Sequence, residues 1–285
     1  MCQRTIFLIR HNDFYLSYGK FFKEMDTTYF CNQSLIPVRS EPSEGAEMET
    51  QILFGEMYRV SETEGNWCRI KINTDGAEGW INSKLLTPVE GDQLHRLLAS
   101  ERHIASRPLD FVIVDNQWQL PLPAGSVLYG RGPSFNIEVG EHLYSYYSDS
   151  QRYSGKRENI TLLAESLIGA PYLGGGKTML GIDCSGFTQV LFSTVGVQLP
   201  RNASQQATMG MPVPFIDSAR PCDLAFFDND EGIITHVGLI MGDNRIIHAS
   251  QGRVRADKID HQGIYNSDIN AYTHKLRLIN RLLPD

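Results

Sequence analysis

Cys184 stands in the run Gly181-Ile182-Asp183-Cys184-Ser185-Gly186-Phe187, where Phe187, Val190, Leu191 and Val195 begin a helical period that Gly196 ends. A cysteine in the first turn of a helix meets unpaired N–H groups and the positive end of the helix dipole. Both favour the thiolate, which is the nucleophile. Asp183 fits the N-cap position, and because its charge opposes thiolate formation a base has to outweigh it. Two histidines downstream, His236 and His248, sit on consecutive strand-like runs, His236 to Met241 and Arg245 to Ala249, joined by Gly242-Asp243-Asn244. A two-residue loop, Asp243-Asn244, would pair Gly242 with Arg245 and throw the imidazoles onto opposite faces. A three-residue loop pairs Met241 with Arg245 and Gly238 with His248, which puts both rings on one face. The sequence predicts the second arrangement. In it His236 deprotonates Cys184, and His248 accepts the other ring N–H of His236 and fixes its tautomer.

The elements that must position these groups begin near Glu158. Ile160, Leu163, Ala164, Leu167 and Ile168 follow the spacing of an amphipathic helix that ends at Gly169-Ala170-Pro171. The nucleophile helix follows, then strand-like runs at Asp223 to Phe227 and at the two histidines, an α+β order. Ahead of it the texture is all β. Between Ser34 and Val89 short apolar runs are broken by turns at Gly55-Glu56, Asp75-Gly76 and Gly79, and Cys68, Ile70 and Ile72 alternate with Arg69 and Lys71. That pattern reads as a small barrel with Trp67 and Trp80 in its core. From Glu90 to Tyr153 a second β-rich stretch carries Gly140-Glu141, an echo of Gly55-Glu56, and suggests a second barrel.

The 285 residues call for two or three domains. A net charge of −7 with no basic block excludes the electrostatic footprint of a nucleic-acid binder. No segment has the ~20 apolar residues of a membrane span, and the N-terminus lacks a secretory leader, so a cytoplasmic location is expected; a trimmed leader would make it secreted or periplasmic. Five dispersed cysteines without a C-x-x-C pair argue against a structural zinc site and a disulfide framework, and neither a metal nor a cofactor is expected. Gly174-Gly175-Gly176-Lys177-Thr178 lacks the first glycine and the leading strand of a phosphate loop, and reads as a mobile loop beside the site.

Asp183-Cys184-Ser185-Gly186-Phe187, Leu199 to Gln206, Asp223-Leu224-Ala225-Phe226-Phe227, Thr235-His236-Val237-Gly238 and Ile247-His248-Ala249-Ser250 together resemble the NlpC-type cell-wall cysteine peptidases of the papain-like fold. Ile36-Pro37-Val38-Arg39, Phe54-Gly55-Glu56, Asn66-Trp67 and Gly79-Trp80-Ile81 resemble the bacterial SH3-like domains attached to such enzymes. The architecture expected is therefore multi-domain: an N-terminal segment (1–30), two small all-β SH3-like barrels (31–90 and 91–155), and an α+β papain-like NlpC-type catalytic domain (156–285).

The resemblance implies Cys184 as nucleophile, His236 as base and His248 as orienting residue. One departure is Pro221-Cys222-Asp223, where the family usually has glycine in the middle. The likeness to the γ-D-glutamyl-L-diamino-acid peptidases implies hydrolysis of the γ-D-glutamyl–diamino acid amide of murein peptides with a free N-terminal L-alanine, releasing L-Ala-γ-D-Glu for recycling. A peptidoglycan-derived peptide is then the partner. A free ammonium needs carboxylate or carbonyl partners. Asp183 and, across the domains, Glu56 are the candidate acids, Tyr172 a wall of the alanine subsite, and Ser185 and Ser204 its hydrogen-bonding neighbours. Glu56 has a competing reading as a solvated turn acid. The rivals for function are a secreted hydrolase of intact wall, a non-catalytic wall-binding protein and, more remotely, acyl transfer by the same thiolate.

Overall fold

In the first β unit the alternation of Cys68, Ile70 and Ile72 with Arg69 and Lys71 becomes burial on one face and exposure on the other. The computed structural model describes residues 27–130, 134–147, 156–250 and 252–283. Most of the N-terminal segment, with Cys2 and His11, lies outside them. Seven strands form the first sheet: β1 (Thr28–Phe30), β2 (Leu35–Arg39), β3 (Met48–Leu53), β4 (Met57–Glu64), β5 (Trp67–Ile72), β6 (Glu78–Asn82) and β7 (Pro88–Val89). Their order is β3-β2-β6-β5-β4-β1-β7. Because β1 pairs with β4, the unit begins before residue 31. Trp67 and Trp80 are only half-buried, out of step with the buried Cys68, Ile70 and Ile81, so they are not the barrel core the sequence suggests.

The second unit opens with a helix the sequence reading did not anticipate, α1 (Gly91–Ala99). A ribbon of β8 (Glu101–Ile104) with β11 (Val127–Gly130) follows, and a four-stranded sheet is built from β9 (Leu109–Val114), β10 (Trp118–Pro123), β12 (Ser134–Val139) and β13 (His142–Tyr147). It shares a core with the first unit. Phe54 packs edge-on to Phe30 at 5.7 Å and against Tyr144 at 5.3 Å, and Tyr129 donates its hydroxyl to the Gly55 carbonyl at 3.0 Å. Gly55, at φ 81°, is required here: a Cβ on it would stand 1.8 Å from the Val127 carbonyl oxygen.

The third unit contains α2 (Lys156–Ser166), the short pair β14 (Lys177–Thr178) and β15 (Gly181–Ile182), α3 (Cys184–Ser193) and α4 (Ala203–Gln206). Its seven-stranded sheet comprises β16 (Met211–Pro212), β17 (Leu224–Asp228), β18 (Ile234–Gly242), β19 (Arg245–Ser250), β20 (Arg253–Ile259), β21 (Gly263–Asn266) and β22 (Ala271–Arg281), in the order β16-β22-β17-β18-β19-β20-β21. Phe187, Leu191, Leu224, Phe226, Val237 and Ile247 are buried together between helices and sheet. Ala225, Phe227, Ile240 and Ile246 fill a smaller core on the opposite side. No helix among the described residues is long and apolar enough to cross a membrane.

Candidate active site

Asp183 caps α3, its Oδ1 accepting the Gly186 N–H at 2.7 Å. That leaves Cys184 as the first helical residue, with its sulfur at the mouth of the helix. The motif's glycine has a steric cause, since a Cβ on Gly186 would lie 2.2 Å from the Gly176 carbonyl oxygen. Burial, then the Asp183 charge, push the Cys184 thiol up to about 11, against the N–H groups of Val237 and Ser185 and the charge of Arg201. The helix end alone therefore does not bring the thiol below its ordinary value. The N–H of Val237 brings the sulfur to β18 beside His236.

The two histidines meet. His236 Nε2 and His248 Nδ1 are 2.8 Å apart, with both residues buried. The turn that brings them together is not the expected one. Gly242 pairs with Arg245 across the two-residue loop Asp243-Asn244, whose φ values are 50° and 56°, a type I′ combination. A bulge at Met241 then restores the register, Leu239 opposite Ile247, so that Gly238 faces His248 after all. A Cβ on Gly238 would crowd the facing strand, standing 2.7 Å from the Ile246 Cδ1 and 3.0 Å from the His248 Cβ.

Burial, followed by its two histidine neighbours, holds His236 well below the ordinary imidazole value, and it is neutral at rest. His248 is lowered by burial too, against the pull of Asp257. Two residues that the sequence reading passed over complete the cluster. Asp257 on β20 meets His248 Nε2 at 3.0 Å, and the His274 ring stacks on His236 at 4.2 Å. His274 is lowered to about 4, chiefly by burial. One nitrogen from each of the three imidazoles falls within 4.8 Å of the others. The His236 and His274 rings lie stacked on each other, and a hydrogen bond already joins His236 to His248. Such a set suits proton passage better than coordination of one ion.

Arg201 was also missed, although it lies in a motif the resemblance rests on. Its guanidinium makes a two-pronged pair with Asp183 and donates to the Ser185 hydroxyl at 2.7 Å. Its Nε donates to Thr50 Oγ1 on β3 at 3.0 Å, so the first unit reaches the residue beside the candidate nucleophile. Gln206 braces the same turn, donating to the Ser185 and Pro200 carbonyls and accepting from Thr188. The glycine run before the helix is a packed junction and not a mobile loop. A Cβ on Gly175 would sit 2.1 Å from the Met48 carbonyl oxygen, Gly175 N–H donates to Asp183 Oδ2 and Lys177 N–H donates to Gln51 Oε1.

The remaining expected residues divide. Tyr172 is 44% exposed, and burial is the first cause that raises its phenol, with Cys184 and Asp183 both near enough to act on it. Asp183 and Ser185 lie in the Arg201 network. Ser204 is exposed on α4, which packs against β18.

Glu56 is neither a solvated turn acid nor an open receptor. It is buried, accepts from Leu53 N–H at 2.7 Å and Thr74 Oγ1 at 2.9 Å, and pairs with the buried Lys177 of the third unit at 3.2 Å. The adjoining cavity measures about 20 Å³, room for one water and not for an alanine. Cys222, where the family the sequence resembles usually has glycine, has φ 74°, a left-handed conformation that glycine adopts without strain.

Residues 169–273 match the NlpC/P60 family, and residues 38–86 match the bacterial dipeptidyl-peptidase SH3 domain. The chain is 29% identical over 223 residues to the gamma-D-glutamyl-L-lysine dipeptidyl-peptidase of Bacillus subtilis (strain 168), covering 71% of this chain and 72% of that one. It is 32% identical over 153 residues to dipeptidyl-peptidase 6 of Lysinibacillus sphaericus, about half of each chain (52% and 51%). An NlpC/P60 family protein from Bacillus cereus ATCC 10987 superposes with a TM-score of 0.75 at 18% identity, covering 90% of this chain and all of that one, a likeness of fold.

Proposed function

Starting from a cysteine peptidase of the NlpC/P60 family with a bacterial dipeptidyl-peptidase SH3 domain ahead of its catalytic domain, we propose that the chain hydrolyses the γ-D-glutamyl–diamino acid amide of murein peptides bearing a free N-terminal L-alanine. Two relatives bear the name of γ-D-glutamyl-L-lysine dipeptidyl-peptidase, at 29% and 26% identity. The observation that carries the reading is the cap-to-strand geometry. Cys184 opens a helix capped by Asp183, its sulfur lies at the N–H of Val237, and the neighbouring His236 is hydrogen-bonded to His248.

In this reading the thiol and imidazole begin neutral. As sulfur attacks the γ-carbonyl carbon of D-glutamate, the S–H proton passes to His236, and the carbonyl electron pair moves onto oxygen. The Cys184 backbone N–H, at the start of α3, receives that oxyanion. Collapse expels the diamino acid's amine, which takes the proton from His236. Water then cleaves the thioester, giving L-Ala-γ-D-Glu and the free thiol. Tyr172 walls the alanine subsite, and Asp183 lies beside it for the ammonium, sharing its charge with Arg201. A free-amine requirement suits peptides already released from the wall, hence a recycling role.

Mass spectrometry of products from free and N-acetylated muropeptides tests this. Release of L-Ala-γ-D-Glu from the free peptide with little turnover of the blocked one is expected. Equal rates would remove the dipeptidyl-peptidase reading, and solubilisation of intact sacculi would point to a wall hydrolase.

A further inference from the structure

We propose that Asp257 sets the proton order of the histidine pair, acting as a positioning residue that decides which nitrogen of His236 carries the lone pair. This role rests on the reading of Cys184 and His236 as nucleophile and base. The Asp257 carboxylate is buried on β20, and its Oδ2 takes Arg255 Nε at 2.6 Å while Oδ1 takes Arg255 Nη2 at 2.9 Å. Arg255 is itself fixed by Asn266 Oδ1 and Asp268 Oδ2, each at 2.9 Å. Burial pushes the Asp257 carboxyl up, but the hydrogen bonds from His248 and Arg255 outweigh it and hold it below its ordinary value. The group is therefore an anion, which accepts hydrogen bonds and donates none.

The rest follows by elimination along the chain of contacts. His248 Nε2, 3.0 Å from Asp257 Oδ2, has to donate. A neutral imidazole has one N–H, so His248 Nδ1 holds a lone pair. His236 Nε2, 2.8 Å from that lone pair, has to donate in turn. Its own lone pair is then confined to Nδ1, the one ring atom left to take a proton from Cys184. When the S–H bond breaks and its electron pair goes into the new S–C bond, the proton lands on Nδ1. The imidazolium charge is then compensated through two hydrogen bonds ending on Asp257. With the opposite order, His248 Nδ1–H would donate to His236 Nε2, and Nδ1 of His236 would already carry a hydrogen. His274, stacked on His236, limits the ring flip that would otherwise repair this error.

The test reads side-chain nitrogen chemical shifts of 15N-histidine-labelled full-length protein near neutral pH, with the signals assigned by single histidine substitutions. In the wild type His236 should be protonated at Nε2 and His248 at Nε2. Protonation of His236 at Nδ1 overturns the proposal whatever the activity. Asp257→Ala should mix the tautomers and lower kcat about ten- to a hundredfold with KM changed less than threefold. Arg255→Met, which keeps the carboxylate but removes its clamp, should retain the wild-type tautomers and most of kcat. Unmoved tautomers in Asp257→Ala, or equal losses of kcat in both variants, would show a merely structural role. Loss of hydrolysis on replacing Cys184 is a separate question from the tautomer, so the two readings fail separately.

Discussion

Replacing Glu56 by glutamine tests how the first β unit is fastened to the catalytic one. The Glu56–Lys177 pair spans the units at 3.2 Å, with side-chain exposures of 7% and 6%. Glutamine keeps an oxygen for the Leu53 N–H, but it turns an amide NH2 toward a buried ammonium. Breaking one side of such a pair costs about 3–5 kcal/mol, because the remaining charge stays desolvated and unpaired. The midpoint of thermal unfolding should fall on the order of 10 °C.

Adding Lys177→Met removes the stranded charge, so the double variant should recover most of the loss, ending within about 1.5 kcal/mol of wild type. Urea unfolding followed through Trp67 and Trp80, both in the first unit, measures all corners of the cycle. An Asp or Glu receptor for the substrate ammonium would behave differently, with turnover of free-amine peptide falling selectively. A Glu56→Gln protein as stable as wild type to within about 1 kcal/mol, yet selectively impaired on free-amine substrate, would refute the ion-pair reasoning.

Two further outcomes are expected. Because His236 must be neutral to accept a proton and its value is depressed below 6.5, kcat/KM should hold as pH falls through 6.5 and decline only at lower pH; alkylation of Cys184 by iodoacetamide should keep rising toward about pH 11. An alkylation plateau near pH 5–7 would instead reveal a preformed thiolate–imidazolium pair. Thr50→Val removes the acceptor of the buried Arg201 Nε and should cost about 1–3 kcal/mol of stability, with a reduced kcat because the Asp183 cap loosens; an unchanged unfolding midpoint would contradict it.

The chemistry was legible where it is local. A cysteine after an N-cap acid at the start of a helical period is a short-range signal, and α3 begins at that residue. The hairpin was legible in outcome and not in mechanism. Both central turn residues took positive φ, as Asp243-Asn244 allows, and Met241 bulged to keep the histidines on one face. A single extra residue leaves no mark on hydrophobic alternation. Asp257, His274 and Arg201 were not found because their partners come from other elements: neighbouring strands, the start of α3 and the first unit. For Asp257 a signal existed: an acid occupies an inward position of β20, two residues before the buried Ile259. Glu56 was misread because a Gly-Glu turn looks exposed in sequence. The buried Lys177 that receives it lies 121 residues away.

Hydrolysis by Cys184→Ala is the most direct trial of the chemistry. The measurement is release of L-Ala-γ-D-Glu from a free-amine murein peptide, quantified by mass spectrometry for wild-type and variant proteins of equal stability. A fall of at least about a thousandfold is expected, since no other group takes over from a lost nucleophile. Turnover at the wild-type rate would show that Cys184 is not the nucleophile.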